Sequence, residues 1–288
     1  MHSMSAPPDI AILGPGLLGG SVALAARANQ CAGIVHLWAR REAAVEQVRS
    51  LGIADLASTD LAEVVQGSTL IILATPVGIM PDLVTRLLEL DLANGTLITD
   101  LGSVKGSVVR SIDPLLQARP DLCFVGSHPM AGKELTGIEH ASADLFQGAA
   151  CVITPGATST LASTAIVEEF WQALGCRTLR MDADEHDRAV AKVSHLPHLA
   201  ASLVAASSLG QDPAIGEVAG AGLRDTTRVA AGAPPMWAEI LLENREALTP
   251  ALADLAGRLE RARTLIDAGD REGLVQLLAE AKDLRDAL

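Results

Sequence analysis

Side chains that could accept a proton or hold an anion are spread along a chain in which 49% of the residues are hydrophobic. His128 lies between small residues and a proline in the segment 126–134, and a neutral imidazole can act as a base near neutral pH. Arg228 lies in a cluster of Arg and Asp residues, and an arginine fork can bind a carboxylate. Taken singly, His128 could be a satisfied core group, Arg228 half of an internal ion pair and Ser103 a helix cap. Together they could remove a proton from an anionic substrate.

A glycine-rich turn near the start of the chain indicates which reaction such a base would serve. Gly14-Pro-Gly-Leu-Leu-Gly19 matches G-x-G-x-x-G directly after an apolar run and at the start of a helical pattern. In a dinucleotide-binding fold the first glycine permits the tight turn, the second lets the backbone approach the pyrophosphate, and the third lets helix and strand pack closely. The helix N-terminus adds backbone N–H donors. This context favours a dinucleotide site over an incidental glycine turn.

The residues after the second predicted strand bear on the choice of cofactor. NAD-binding domains commonly place an acidic residue about 20 positions beyond the fingerprint, where it binds the ribose 2′-OH. Here that neighbourhood is Trp38-Ala-Arg-Arg41, which has no carboxylate. Because a guanidinium can bind the 2′-phosphate that a carboxylate would repel, we favour NADP over NAD. The alternative is that both arginines simply begin a solvated helix. The predicted cofactor-binding residues are Gly14, Gly16, Leu17, Leu18, Gly19, Arg40, Arg41, Thr75 and Pro76.

Strand-like and helix-like patterns alternate through the first part of the chain. The predicted strands are 9–13, 34–39, 70–74, 96–100, 123–126, 150–154 and 177–181. The predicted helices between them are 17–28, 42–51, 81–90, 104–117 and 159–174. Such alternation predicts an α/β fold, with an N-terminal Rossmann-type domain over residues 1–182 whose mostly parallel sheet is covered on both faces.

After Met181 the strand patterns disappear and helical periodicity takes over. A helical pattern covers 184–209 with a break near Pro197, and further helices are predicted at 236–248, 250–268 and 271–284. Leucines recur there at core spacing with charged residues between them. Residues 183–288 are therefore predicted to form an all-α domain.

Bulk properties exclude several classes of function. The chain has 35 acidic and 22 basic residues, a net charge of −13, and no basic run that would bind nucleic acid. Its apolar runs are too short to span a bilayer, and its first residues lack the apolar segment of a signal peptide. The four cysteines form no CxxC pair and no metal-ligand spacing. We therefore predict free thiols, a cytoplasmic location and no metal site.

Four motifs outside the fingerprint carry a resemblance to a known family. They are Asp100-Leu-Gly-Ser-Val-Lys105, Gly126-Ser-His-Pro-Met-Ala-Gly132, Ser194-His-Leu-Pro-His198 and Gly222-Leu-Arg-Asp-Thr-Thr-Arg228. With these motifs in this order, the chain resembles the prephenate/arogenate dehydrogenases of tyrosine biosynthesis, from Ile10 to the C-terminal helices. The resemblance implies a Rossmann domain followed by an all-α domain that forms a homodimer. It also implies oxidative decarboxylation of prephenate to 4-hydroxyphenylpyruvate, or of arogenate to tyrosine, with hydride transfer to NAD(P)⁺.

The resemblance implies roles for particular residues as well. His128 would accept the proton of the ring hydroxyl, Ser103 would lie beside His128 and orient it, and Arg228 would bind a substrate carboxylate. The residues expected to line or gate the substrate pocket are Ser194, His198, Glu134, Asp225 and Trp237.

Several alternatives stay open at this level. His195 and His198 are chemically possible bases, although His128 directly follows the fifth predicted strand, at the carboxyl edge of the sheet where ligands bind. Glu134 or Asp225 could meet the amino group of arogenate, so the sequence does not separate arogenate from prephenate. A 3-hydroxyacid dehydrogenase or an imine reductase would share the domain arrangement. A cofactor-binding protein without turnover is a further alternative, but it would not need a base.

Overall fold

A computed structural model describes residues 7–132 and 135–288. Within these ranges the first part of the chain forms one sheet in the order β3-β2-β1-β4-β5-β6-β7-β8. The strands are β1 (Ile10–Leu13), β2 (Val35–Trp38), β3 (Leu56–Ser58), β4 (Leu70–Leu73), β5 (Leu97–Asp100), β6 (Cys123–Pro129), β7 (Ala150–Pro155) and β8 (Arg177–Arg180). Neighbouring strands are parallel except for β6 and β7, which run antiparallel.

Helices cover both faces of this sheet. They are α1 (Leu17–Ala28), α2 (Glu42–Leu51), α3 (Leu61–Val65), α4 (Met80–Leu88), α5 (Gly106–Leu116) and α6 (Leu161–Ala173). In β1, Ile10 and Ile12 join the apolar cluster under α1, α2 and α6, whereas Ala11 and Leu13 join the cluster under α3, α4 and α5. A strand buried on both sides needs a continuous apolar run, which explains why the central strands were easy to find in the sequence.

Beyond β8 the described chain is helical. The helices are α7 (Ala183–Val190), α8 (Leu196–Leu209), α9 (Ala221–Thr227), α10 (Pro234–Glu243), α11 (Arg245–Asp267) and α12 (Arg271–Asp286). This arrangement confirms the predicted class, a Rossmann-type sheet followed by an all-α region. Asp182 caps α7, its side chain accepting the N–H groups of Asp184 and Glu185; the division into domains at this residue stays a prediction. Among the described residues, no helix has both the length and the hydropathy needed to cross a bilayer.

Two short elements near the sheet edge were missed by the sequence prediction. Strand β3 has three residues and helix α3 has five. Neither is long enough to show a clear period of two or of 3.6 residues. Consequently, the strand predicted as the third is the fourth, and the strand predicted as the fifth is β6.

Other boundaries were wrong for local reasons. The predicted break near Pro197 is a π-helical turn over Ala191–His195 that joins α7 to α8 without a gap. A wider turn ahead of a proline accommodates its missing N–H. Helix α11 begins at Arg245, so Pro250 lies inside it and the break from α10 falls at Asn244.

Strand β6 is three residues longer than predicted, and this changes the position of His128. The residue lies within β6, opposite Val152 of the antiparallel β7, rather than after the strand. Pairing with β7 continues past the point where β5 ends, because the register of β5 with β6 extends only to Thr99 and Val125. His128 therefore stays at the carboxyl edge of the sheet, but on a paired strand instead of a loop.

The connection between β6 and β7 begins and ends at this same carboxyl edge, because the two strands are antiparallel. Ile138 in this connection packs on α1, where a Cβ added to Gly20 would lie 2.9 Å from its Cγ1 atom. The Ser142 N–H also donates to Ser21 Oγ at 3.0 Å. The β6–β7 connection is thus held against α1 by close packing and a hydrogen bond.

A buried polar network ties the ends of β5 and β6 together. Lys105 is fully buried, and its Nζ donates to Asp100 Oδ2 and, at 2.8 Å, to the Ser127 carbonyl. Asp100 also accepts the N–H groups of Ser127 at 3.0 Å and Gly102 at 2.8 Å. Burial lowers the pKa of Lys105, and the neighbouring Asp100 opposes that shift only in part. The network fixes Ser127 and hence the position of His128 beside it.

We expect Lys105→Met to lower the free energy of unfolding by about 3–5 kcal/mol, because it leaves the Asp100 carboxylate buried without its counter-charge. Urea unfolding followed by circular dichroism measures this change. The control is Lys282→Met, which removes an exposed ion pair with Asp286 and should change stability little. Equal stability of the Lys105 variant and the wild type would contradict a role for the buried pair in holding β5 against β6.

Candidate active site

The glycine turn between β1 and α1 forms a cradle with room for a dinucleotide. Gly14 has φ +124°, and a Cβ there would lie 2.6 Å from the Ala74 carbonyl oxygen. A Cβ on Gly19 would collide with the Gly14 carbonyl, so α1 can approach the turn only without a side chain. A Cβ on Gly16 would meet nothing within 4 Å, which leaves open space beside its backbone. Leu17 is buried and Leu18 packs against the core, which anchors the start of α1.

The cradle lies where the strand order reverses, between β1 and β4, which is the usual place for a ligand in a doubly wound sheet. Thr75 and Pro76 follow β4 on the same edge. The Thr75 hydroxyl is buried and has no hydrogen-bond partner among the described residues. A buried polar group without a partner is costly, and a bound ligand would satisfy it. The cradle and this hydroxyl therefore fit a dinucleotide cofactor.

The helical region reaches this edge of the sheet from the other side. Residues Val77–Ile79 form a 3-10 turn directly after Pro76, and the Gly78 N–H donates to Glu239 Oε1 of α10 at 2.8 Å. This contact was not foreseen, because the two residues are 161 positions apart. This contact brings α10 to the edge of the sheet that carries the cradle, and the space between them is the candidate cleft.

Arg40 and Arg41 follow β2 and are both exposed. Arg41 is the residue before the first turn of α2, so the two arginines do begin a helix, as the alternative interpretation held. Within residues 7–132 and 135–288, neither guanidinium forms a salt bridge, whereas Arg49 of α2 pairs with Glu42 and Glu46. Both side chains therefore remain able to bind a phosphate.

His128 is bonded to a histidine that the sequence prediction did not single out. Its Nδ1 lies 2.8 Å from Nε2 of His186 on α7, and the His128 residue is only 8% exposed. Burial lowers the pKa of His128 well below its ordinary value of 6.5, and the nearby His186, Lys105 and His195 lower it further. His128 is therefore neutral at neutral pH, which is the form that can accept a proton.

Ser103 lies in a bend between β5 and α5 and is half-buried. In the described part of the chain its hydroxyl does not bond to His128, whose Nδ1 is held by His186. Ser103 does not cap α5 either. The first N–H groups of that helix, from Lys105 and Gly106, donate to the carboxylate of Asp187 at 2.8 Å each.

Asn244 joins this cluster to the second group of predicted residues. Its Nδ2 donates to the Asp187 carbonyl at 2.9 Å and lies 3.0 Å from Nδ1 of His195. Burial lowers the pKa of His195 to about 4. Because Asn244 occupies Nδ1 as a donor, the proton of neutral His195 is on Nε2, which is buried without a partner among the described residues.

His198 and Trp237 form one wall of the cleft. Their rings stack at 3.5 Å with an angle of 8° between their planes, and the His195 ring meets Trp237 edge-on at 6.3 Å. Trp237 also packs so closely on Gly232 that a Cβ there would collide with the indole. Ser194 is half-buried in the π-helical turn that precedes this wall. Two of the predicted pocket residues, His198 and Trp237, are therefore in direct contact.

The predicted anion site lies on the next elements along the chain. Asp225 is on α9, and Arg228 begins the 3-10 turn Arg228–Ala231; both residues are exposed. Helix α9 and this turn pack on α8, which carries His198. Glu134 falls outside the described residues, so its predicted place in the pocket stays a prediction.

Comparison with known proteins agrees with this geometry. The family model for the prephenate dehydrogenase nucleotide-binding domain matches residues 22–180, and the model for the prephenate dehydrogenase dimerization domain matches residues 182–280. The chain belongs to the prephenate dehydrogenase family. A cyclohexadienyl dehydrogenase of Zymomonas mobilis is 34% identical over 97% of this chain and 95% of its own length.

Two solved structures of the family have the same fold. Prephenate dehydrogenase from Aquifex aeolicus, in complex with hydroxyphenyl propionate and NAD⁺, has a TM-score of 0.90 at 30% identity and covers 99% of both chains. Synechocystis arogenate dehydrogenase has a TM-score of 0.80 at 28% identity, covering 97% of this chain and 99% of its own. Both likenesses span the sheet and the helical region together.

The sequence prediction missed the residues that connect the predicted ones. His186, Asp187 and Asn244 link His128 to His195, and through His195 to Trp237. A local signal was present, because His186 and Asp187, which can bond to each other and take part in proton transfer, are adjacent in the sequence. Asn244 carried no such signal, since a single Asn between helical patterns is an ordinary break.

Proposed function

We propose that this family member oxidatively decarboxylates prephenate, arogenate or both, in the cleft between the sheet edge and the helical region. The observation that carries this proposal is a buried, neutral His128 on the strand edge that also carries the dinucleotide cradle. The family match over both parts of the chain supports it, and so does the Aquifex aeolicus relative solved with NAD⁺ and hydroxyphenyl propionate. A 3-hydroxyacid dehydrogenase or imine reductase would not account for the family match.

The cofactor site supports an NAD(P)-dependent reaction. When bound, the dinucleotide would supply a nicotinamide ring that accepts the hydride. The Gly14–Gly19 turn would hold its pyrophosphate at the start of α1, and the Thr75 hydroxyl would bond to the cofactor. For the adenosine end we propose NADP in preference to NAD, because Arg40 and Arg41 can bind a 2′-phosphate and no carboxylate in their place repels it.

His128 would act as the base of the reaction. Loss of a hydride makes the hydroxyl-bearing ring carbon carbonyl-like and acidifies its hydroxyl, whose proton passes to His128 Nε2. The ring carboxylate departs as CO2, the two electrons of the broken carbon–carbon bond complete the aromatic ring, and the ring oxygen takes the proton back from His128 to give the product hydroxyl. Ser103, which lies at the same edge, would bond to the substrate hydroxyl or to His128 once substrate is present.

Arg228 would bind a carboxylate of the substrate from the helical side of the cleft. An arginine stays charged at every relevant pH and matches a carboxylate with two parallel hydrogen bonds. Ser194, His198 and Trp237 would form the pocket wall, with Glu134 and Asp225 near its polar end. An acidic group there would favour the amino group of arogenate, so we propose that arogenate is used at least as well as prephenate.

The helical region would also form a homodimer, as the name of the matched dimerization domain suggests. Helix α12 has no buried residue, and large apolar side chains on α11 and α12, such as Leu259, Ile266 and Leu278, are each 64% exposed. A stripe of this kind is a usual dimer surface. The four free cysteines support a reducing compartment, and we propose the cytoplasm.

The purified protein should reduce NADP⁺ with arogenate or prephenate, with a lower apparent KM for NADP⁺ than for NAD⁺. Changing both Arg40 and Arg41 to Ala should raise the KM for NADP⁺ about 10- to 100-fold and leave that for NAD⁺ nearly unchanged, since only a 2′-phosphate loses charged partners. NAD(P)H absorbance measures both. Arg49→Ala, in the helix that follows Arg41, is the matched control. A wild-type preference for NAD⁺ would overturn the NADP proposal, and no reduction with either substrate would overturn the proposed reaction.

His128→Asn should lower kcat about 10²- to 10⁴-fold and change the KM values little, because the base acts in the chemical step. In the wild type, kcat/KM should be level above about pH 6.5 and fall only at lower pH, since the pKa of His128 lies below its ordinary value and protonation removes the base. His36→Asn, in β2, is the control for loss of a histidine. Near-normal turnover by the His128 variant would remove this residue from the base role.

Arg228→Ala should raise the KM for the substrate about 10- to 100-fold with kcat within a few-fold, because a carboxylate clamp binds ground state and transition state alike. Arg228→Lys should recover part of the loss, since it restores the charge but not the paired hydrogen bonds. Steady-state kinetics at saturating cofactor measure both effects. Arg224→Ala, one turn earlier, should behave as wild type. An unchanged KM in Arg228→Ala would place the carboxylate elsewhere.

A further inference from the structure

Three nearly buried side chains form a row that leads away from the cleft. His128 Nδ1 lies 2.8 Å from His186 Nε2, and His186 Nδ1 lies 2.8 Å from Asp187 Oδ1. The two rings meet edge-on with centroids 5.1 Å apart. Only 8% of His128, none of His186 and 6% of Asp187 is exposed. The His128–His186 contact and the His186–Asp187 contact are therefore each one hydrogen bond that is shielded from water.

The direction of both hydrogen bonds follows from Asp187. Burial alone would raise the pKa of its carboxyl, but bonds from His186 and from the N–H groups of Lys105 and Gly106 outweigh burial and lower the pKa. Asp187 is thus ionised at neutral pH and can only accept hydrogen bonds. His186 must donate to it through Nδ1–H.

The hydrogen bond between the two histidines also has a fixed direction. Burial, more than any other cause, lowers the pKa of His186, and Asp187 opposes the shift only in part, so the ring is neutral at neutral pH. A neutral imidazole with its proton on Nδ1 has a lone pair on Nε2. His186 Nε2 must therefore accept the Nδ1–H of His128, and His128 keeps a lone pair on its own Nε2. No group in residues 7–132 or 135–288 bonds to that atom.

We propose that His186 is a positioning residue, which with Asp187 holds His128 in the tautomer whose Nε2 can accept the substrate proton. The inference rests on the role of His128 in the proposed function and adds how that role is prepared. Which nitrogen of a histidine carries the proton is set by the bond that the other nitrogen makes. Here His186, which donates to the Asp187 carboxylate, sets the tautomer of His128.

Other charged groups around the two rings do not reverse this direction. Lys105 faces both rings, and His195 faces His128; each disfavours a positive charge on the ring that it faces. Asp100 faces His186 and favours its charged form, but more weakly than burial opposes it. The rings therefore stay neutral until the reaction delivers a proton, and Asp187 then stabilises a positive charge on the pair.

The tautomer can be read directly, without substrate. Histidine-selective ¹⁵N labelling of the full chain at pH 7.5, with the His128→Asn spectrum used for assignment, should show His128 protonated on Nδ1 and unprotonated on Nε2. In His186→Leu the His128 signals should shift toward a mixture of tautomers. A His128 proton on Nε2 in the wild type would overturn the proposal. Because this readout needs no turnover, it stands even if the proposed reaction fails.

Kinetics separate positioning from mere packing. A glutamine at position 186 can accept from His128 and donate to Asp187, whereas a leucine can do neither. We expect His186→Gln to keep kcat within about 10-fold of wild type, and His186→Leu to lower it about 10²- to 10⁴-fold, the cost of a misplaced proton on a base, with KM values within a few-fold.

The matched control is His36→Leu in β2. The His36 ring also makes a partly buried hydrogen bond, to the Val64 carbonyl at 2.9 Å, but it lies far along the chain from His186. This variant should leave kcat unchanged. Equal kcat losses in His186→Gln and His186→Leu, or a loss in neither, would overturn the positioning role. If His186→Leu does not fold, as thermal unfolding would show, the glutamine variant and the ¹⁵N tautomer of the wild type still decide the matter.

Discussion

The carboxylate of Asp187 is the junction on which the two halves of this protein depend. It accepts the first N–H groups of α5, a helix that covers the sheet, although Asp187 itself lies on α7. It also accepts from His186, while its own backbone carbonyl accepts from Asn244 at the start of α11. A helix N-terminus has free N–H donors and the positive end of a dipole, so an anion is the natural partner there. In this fold the helical region provides that anion.

This arrangement places the proposed base and its hydrogen-bond partner on regular elements rather than on loops. His128 is on a paired strand, His186 is inside a helix, and beneath them Lys105 and Asp100 fasten the ends of β5 and β6. Burying so many polar groups costs free energy unless each finds a partner. In the described structure most of these buried polar groups have a hydrogen-bond partner within the protein. The exceptions among the described side chains are Thr75 Oγ1, Ser107 Oγ, Thr154 Oγ1, His195 Nε2 and His198 Nδ1. Of these, Thr75 lies beside the glycine turn, and His195 and His198 lie at Trp237.

Local signals in the sequence were sufficient for seven of the eight strands and for the glycine turn, and insufficient for the connections. The Gly14–Gly19 turn and the apolar strands are each defined within a few residues, so composition and spacing reveal them. By contrast, Asp187 reaches Lys105 across 82 positions and Asn244 across 57. No spacing rule links residues so far apart. His128 was placed after its strand for a similar reason, because the pairing that extends β6 comes from β7, which lies later in the chain.

The antiparallel pairing of β6 with β7 has an evolutionary consequence. A parallel strand would need a connection that crosses to the opposite edge of the sheet, whereas this reversal makes the β6–β7 connection begin and end at the carboxyl edge. In its described part the connection is anchored on α1 through Ile138 and Ser142, and the Met130 N–H donates to the Ala150 carbonyl at the start of β7. Insertions or deletions here would reshape the entrance without disturbing a strand. Relatives could therefore diverge in the substrates they admit while the proposed base and its hydrogen-bond partners stay unchanged.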